Sequence, residues 1–173
     1  TTVSSPLPVS PTPGYPDFVP RFYTTEDQPN GPLTRYTPPP GALTTGNIKD
    51  ILRTPGGTWE YLVLNAPASP TDPGTFGWSK NRADGEASAT AYFRNGEGID
   101  VKDNGHLTFI SKVEKRMIQL DLTTETWTMD STVSGLFAGQ PDQIAAWVGE
   151  DSEFLFFAED SSNNDIHGRN LID

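Results

Sequence analysis

The chain contains no cysteine among its 173 residues. Disulfide bonds, zinc–thiolate sites and a cysteine nucleophile are therefore excluded within it. This absence does not fix the compartment, because secreted proteins without disulfides exist. No run of the sequence approaches the roughly 20 apolar residues that a membrane-spanning helix needs, so we expect no membrane span.

Basic residues are scarce: 12 lysines and arginines stand against 23 aspartates and glutamates, which gives a formal net charge of -11. Nucleic acid is therefore not an expected partner, because phosphate binding needs a basic surface. An anionic membrane surface is disfavoured for the same reason. The acidic excess suits Ca²⁺ or Mg²⁺, which prefer carboxylate oxygens, and it equally suits a protein that is merely kept soluble by its charge.

Proline is almost confined to the first part of the chain, since Pro141 alone of the 16 prolines lies beyond residue 73. Proline lacks an N–H donor and does not fit a central strand, so residues 1–46 are predicted to be a Pro-rich extended arm. Aromatic residues interleave with these prolines, which favours an arm that lies on another surface over a disordered tail. Turn signals rich in Pro, Gly and Asp predict a second irregular stretch, the insert 65–92.

The rest of the sequence predicts short β-strands, and no apolar period of 3.6 residues persists for three turns. Similar strand pairs recur at an offset of 45 to 48 residues, the size of a four-stranded propeller blade. The fold is therefore predicted to be all-β, a partial β-propeller with blades near 47–64, 97–133 and 142–173. Since a propeller needs about four to eight blades, residues 47–173 are predicted to need further blades of the same protein or a partner chain. A small β-sandwich is the alternative.

Carboxylates recur at matching places of this repeat. Glu97 lies at the start of the first strand of one predicted blade, and Asp142 holds the matching position in the next. Glu159 and Asp160 follow the apolar strand 154–158. The innermost strands of a propeller line its channel, so these four carboxylates are predicted to converge on a Ca²⁺-type metal site. Alternatively, each caps a turn or is solvated.

The remaining polar residues are interpreted as structural. His106 follows an Asn-Gly turn and His167 lies in a predicted strand, with no Ser-His-Asp order visible. Lys112 belongs to a basic cluster that predicts a solvated hairpin turn, with phosphate contact as the alternative. The segment 160–165 lacks the Gly and terminal Glu of an EF-hand and predicts a polar turn. No catalytic residue is assigned.

Two ordered sets of motifs carry a resemblance to a known family. The first set is segment 97–101 (Glu-Gly-Ile-Asp-Val) followed by 107–111 (Leu-Thr-Phe-Ile-Ser). The second is 141–143 (Pro-Asp-Gln) followed by 156–160 (Phe-Phe-Ala-Glu-Asp). Over residues 93–170 the chain resembles the PhoX-like family of bacterial alkaline phosphatases and its uncharacterised propeller relatives.

The resemblance implies a β-propeller whose acidic residues bind calcium and, in active members, iron. It also implies an extracytoplasmic location and, for active members, hydrolysis of phosphate esters. By position, Glu97, Asp142, Glu159 and Asp160 would be metal ligands or their neighbours. The chain departs from the active pattern, because it lacks a cysteine and because Ser111 and Lys112 stand where an acidic pair is expected.

Two functions remain open at this stage. The first is a non-catalytic, calcium-binding propeller segment that acts as a structural or interaction subunit and needs further polypeptide to close its fold. The second is part of an extracytoplasmic metal-dependent phosphatase, in which bound calcium and iron would activate a nucleophile and clamp the phosphoryl oxygens. The missing cysteine, the acidic charge and the Pro-rich arm favour the first, whereas the ordered carboxylate motifs favour the second.

Overall fold

A computed structural model describes residues 2–4, 20–40, 42, 48–69, 71–102, 105–133, 139–148, 153–160 and 165–170. Over these residues the fold is all-β, as the sequence predicts, with two helices. The strands are β1 (Thr2–Ser4), β2 (Phe22–Thr24), β3 (Thr34–Thr37), β4 (Thr58–Asn65), β5 (Gly74–Ser79), β6 (Gly96–Val101), β7 (His106–Ser111), β8 (Arg116–Asp121), β9 (Thr126–Ser131), β10 (Gln140–Val148), β11 (Glu153–Asp160) and β12 (Ile166–Asn170). The helices are α1 (Ile48–Arg53) and α2 (Arg82–Tyr92).

Nine strands form one antiparallel sheet in the order β1-β2-β3-β4-β5-β9-β8-β7-β6, and the other three form the sheet β10-β11-β12. The large sheet has two halves, β1–β5 and the meander β6–β9, which join where Gly74 pairs with Trp127. A Cβ at Gly74 would lie 2.1 Å from the indole nitrogen of Trp127, so only glycine fits beneath this ring. The same nitrogen donates a hydrogen bond to the carbonyl oxygen of Asn65 at 2.9 Å, which fastens the junction.

The two halves of the large sheet and helix α2 enclose the main hydrophobic core. Its buried members come from strands on both halves, from α2 and from the loops beside them: Tyr23, Leu33, Leu62, Leu64, Phe76, Ala89, Phe93, Ile99, Leu107, Phe109, Ile118, Leu120 and Trp127. Phe93 and Phe109 meet edge to face with ring centroids 5.1 Å apart. Burial of this apolar surface is the main force that holds the two halves together.

The second sheet packs on the other face of the meander. Ile110 and Met117 of β7 and β8 form a smaller core with Ile144, Leu155 and Phe157 of β10 and β11. Residues 107–111 of β7 are all buried. Since successive side chains of a strand point to opposite faces, both faces of β7 must be covered. The meander is thus the middle layer between the N-terminal half and the second sheet.

The predicted arm and insert are corrected over the described residues. Residues 22–24 and 34–37 of the arm are strands β2 and β3, which pair with each other and with β4 inside the large sheet. Residues 48–53, which begin the predicted blade 47–64, form helix α1 and not a strand. The irregular insert 65–92 instead holds β5 and the 11-residue helix α2.

Helix α2 escaped the sequence analysis because its buried face is made of small residues. Gly85, Ser88 and Ala89 are its buried positions, and they produce no strong apolar period. Asn81 caps its start through a hydrogen bond from the Ala83 N–H to the side-chain oxygen. Residues 5–19 and 43–46 of the predicted arm and the polar turn 161–164 lie outside the described residues. Within the part of the chain that is described, no helix is long and apolar enough to cross a membrane.

Candidate functional site

Glu97 and Asp142 lie in matching irregularities of strands β6 and β10. In β6 the register shifts between the pairs Gly96–Ser111 and Ile99–Phe109, so two residues oppose one on β7. In β10 it shifts in the same way between the pairs Pro141–Glu159 and Ile144–Phe157. Such a β-bulge re-aims the side chains that it carries. The bulged residues are 97–98 in one strand and 142–143 in the other, so the two carboxylates hold equivalent places.

The Glu97 carboxyl group is surrounded by more negative than positive charge. Its pKa is raised to about 7, first by burial and then by the nearby carboxylates of Asp27 and Asp142. The ammonium of Lys112, 3.4 Å from Oε1 of Glu97, acts in the opposite direction. The backbone of Glu97 is held by Thr25, whose hydroxyl donates to the Glu97 carbonyl oxygen at 2.5 Å. The raised pKa of Glu97 therefore reflects its burial first and the negative charge of Asp27 and Asp142 second.

Lys112 links the two layers through its ammonium group. Its Nζ lies 2.5 Å from Oδ2 of Asp160 as well as near Glu97, and the hydrogen bond to Asp160 is the main reason that the pKa of Lys112 is raised. The strand register equates Ser111 with Glu159, so Lys112 and Asp160 are themselves equivalent residues of neighbouring sheets. A lysine therefore holds the position that an acid holds in the next layer.

Glu159 belongs to a second group, on the other face of β11 from Asp160. Its carboxylate is 6% exposed and lies 3.2 Å from Nε2 of His167. Glu159, Asp165 and His167 place one ligand atom each within 4.8 Å of one another. A Cβ at Gly139 would lie 2.1 Å from Oε1 of Glu159, so the carboxylate rests against a glycine backbone. An imidazole with two carboxylates is a donor set that suits divalent transition metals better than calcium.

The four predicted metal ligands do not meet at one point in this structure. Glu97, Asp142 and Asp160 lie on the Lys112 side, whereas Glu159 points to His167. The reason is the period of a strand, since adjacent residues such as Glu159 and Asp160 face opposite ways. Over the described residues, Glu159, Asp165 and His167 are the group that brings three ligand atoms within 4.8 Å. No family model, curated protein or solved structure matches this chain.

Several residues of these two groups were missed or given another role by the sequence analysis. Asp27 falls inside the predicted arm, Lys112 was interpreted as a solvated turn residue, and His167 as structural. The sequence offered one signal for the second group. A hairpin between β11 and β12 brings Asp165 and His167 next to Glu159 on the neighbouring strand. The Glu159 N–H donates to the Asp165 carbonyl oxygen at 2.9 Å, as that pairing requires.

Proposed function

We propose that this chain is a non-catalytic, calcium-binding segment of a β-propeller that acts as a structural or interaction subunit and needs further polypeptide to complete its fold. The repeated layer supports the propeller: β6–β9 is a four-stranded meander, and β10–β12 repeats its first three strands with the same bulge. An extracytoplasmic location belongs to the proposal and rests on the family resemblance.

One observation carries the calcium part of the proposal. The Glu97 carboxyl group, only 13% exposed, has a pKa raised to about 7 beside Asp27 and Asp142. Lys112 offers a single positive charge, which it shares with Asp160. A bound divalent cation would offset the remaining repulsion, and carboxylate oxygens are the ligands that Ca²⁺ prefers. Glu97, Asp142 and Asp27 would be the ligands of such an ion.

Calorimetric titration of the purified chain with Ca²⁺ tests this proposal. The wild type is expected to bind, and both Glu97→Gln and Asp142→Asn are expected to weaken binding. Glu125→Gln removes one acid from the β8–β9 turn and serves as the matched control, with unchanged binding expected. Absence of Ca²⁺ binding by the wild type, or equal loss in the control, would overturn the calcium site.

The phosphatase alternative is supported by the His167 group. Glu159, Asp165 and His167 offer oxygen and nitrogen ligands to iron or another divalent transition metal. Against it stand the absent cysteine and Lys112 in the place of an expected acid. Steady-state assay of a phosphomonoester with calcium and iron decides between the two: we expect no turnover, and turnover that His167→Gln abolishes while His106→Gln preserves it would replace the non-catalytic proposal.

A further inference from the structure

Strand β11 is apolar on both of its faces but is buried on one only. Its residues 154–158 read Phe-Leu-Phe-Phe-Ala, a continuous apolar run typical of a strand covered on both sides. Leu155 and Phe157 are buried against the meander, whereas Phe156 is 40% exposed on the opposite face. The equivalent strand β7, by contrast, is covered on both faces.

The exposed side of the second sheet is a continuous apolar surface, here called the outer face. Strand pairing aligns Trp147 with Phe154, Ala145 with Phe156, and Ala158 with Ile166. Trp147 is 53% exposed and Ile166 is 77% exposed. The ring of Phe154 lies 6.2 Å from that of Trp147 and 6.3 Å from that of Phe156. The outer face consists of Ala145, Trp147, Phe154, Phe156, Ala158 and Ile166; Gly168 and Asn170 of β12 lie beside them.

The register shows what covers the equivalent face one layer earlier. Ile110 pairs with Met117 in the meander, as Ala158 pairs with Ile166 in the second sheet, so these two pairs are equivalent. Ile110 and Met117 are fully covered by Ile144, Leu155 and Phe157 of the next layer. The outer face therefore repeats a surface whose cover, inside this same chain, is another antiparallel sheet.

We propose that the outer face binds a further antiparallel β-sheet, which packs face to face on β10–β12 as β10–β12 pack on β6–β9. The cover is a sheet from polypeptide outside these 173 residues, with aliphatic and aromatic side chains in the places of Ile144, Leu155 and Phe157. This inference rests on the proposed function. To that function it adds a binding surface, the outer face, and the chemistry of the partner, an apolar antiparallel sheet.

A second copy of this chain does not supply the required surface. The layers meet through two different faces, and the complementary faces of this chain are already buried: Ile99, Leu107 and Phe109 in the main core, and Leu155 and Phe157 against the meander. Two copies would also each carry a formal net charge of -11, which opposes association.

The expected contact differs in its polar groups from the one between the meander and the second sheet. There, the Asp100 carboxylate accepts a hydrogen bond from the Ala146 N–H at 2.5 Å across the two layers. The register equates Asp100 with Ala145, which has no acceptor in its side chain. The outer face is therefore expected to bind by apolar packing over its centre, with Asp160, the equivalent of Lys112, as a charged group at its edge.

Photo-cross-linking in the natural assembly tests this surface. The photoreactive residue benzoylphenylalanine replaces Phe156 in the natural protein within its natural assembly. The same probe at Thr128, an exposed residue of β9, is the control. We expect the probe at 156 to cross-link, well above the control, to a strand of alternating apolar residues outside this chain. A link to a second copy, a link to a helix, or a yield no higher than at 128 would overturn the proposal.

A pair of charge substitutions separates loss of binding from loss of folding. Trp147→Asp is expected to abolish the cross-link from position 156, whereas Thr128→Asp leaves it. Because Trp147 is exposed here, Trp147→Asp is expected to leave the melting temperature of the isolated chain unchanged; a persisting cross-link would contradict the proposal. Failure of Ca²⁺ titration would overturn the calcium site alone, and failure of the cross-link would overturn this surface alone.

Discussion

Glu97 and Asp142 occupy the same place in two successive layers, each as the first residue of a bulge in the first strand of its sheet. Gly98, the second bulged residue of β6, has no Cβ, so β6 and β10 approach each other closely. This approach keeps the Asp142 carboxylate near enough to raise the pKa of Glu97.

The pH dependence of stability should carry the signature of Glu97. Its pKa is about 7 in the folded protein against an ordinary 4.5, so between these values the folded state binds a proton that the unfolded state has lost. The free energy of unfolding therefore falls as pH rises through this window, by at most about 1.4 kcal/mol per pH unit. Glu97→Gln should flatten this slope. At pH values above about 7 it should be more stable than the wild type, because the glutamine stays uncharged. Urea denaturation across the window measures both; an unchanged slope in Glu97→Gln would contradict the assignment.

Replacement of Lys112 by Met should make the chain more dependent on calcium. The substitution removes the ammonium between Glu97 and Asp160, so repulsion among the carboxylates is expected to lower the melting temperature. A ligand that binds only the folded state stabilises it by about 2.7 kcal/mol at 100 times its dissociation constant. Ca²⁺ should therefore raise the melting temperature of Lys112→Met by more than it raises that of the wild type. Lys80→Met, at an exposed residue after β5, is the control, and an equal calcium response in all three proteins would refute the prediction.

Gly98→Ala should separate the two layers. A Cβ at this position would lie 2.4 Å from the backbone nitrogen of Ile144 and 2.7 Å from Cα of Gln143, and backbone atoms cannot turn aside. Overpacking of this kind costs about 1–3 kcal/mol, which denaturation would detect. Gly77→Ala is the matched control, because no atom lies within 4 Å of its added Cβ. Equal stability of the two variants would argue against close contact of β6 and β10.

Asp100→Ala should weaken the hydrogen bond between the layers. The substitution leaves the Ala146 N–H without the carboxylate that accepts it, which costs about 1–3 kcal/mol for a buried donor. Hydrogen exchange of the Ala146 amide should become faster, while exchange in β8 remains slow. Asp100→Asn retains an acceptor oxygen and is expected to fall between wild type and Asp100→Ala. Unchanged exchange at Ala146 in both variants would show that this bond does not hold the second sheet.

The strands were predictable where local pattern and local structure agree. Residues 97–133 alternate between apolar and polar residues and contain turn signals, and the structure has four antiparallel strands at 96–131. The match between Glu97 and Asp142 was also visible, although the register places the third strand at an offset of 49 residues, since Ile118 pairs with Phe109 as His167 pairs with Phe157. The reason is that the connection between β11 and β12 is one residue longer than the connection between β7 and β8.

The N-terminal part was not predictable in the same way. Proline-rich sequence near Tyr23 and Leu33 predicts an arm, but these two side chains are buried in the main core. The described prolines of this part, at 20, 29, 32 and 38–40, lie outside the strands. Helix α2 likewise has an apolar face made only of small residues, and its stability comes from contact with β4 and β5. In both places tertiary burial outweighs local propensity.

By itself, the sequence determined the all-β class, the acidic charge, the repeat and the equivalence of Glu97 with Asp142, because strand period and repeat length are local properties of a chain. Tertiary structure alone decided which charges meet. It directed Asp160 to Lys112 and Glu159 to His167, and it added Asp27 from a distant strand connection. Side-chain direction in a bulged, stacked sheet depends on register between layers, and no local pattern encodes that register.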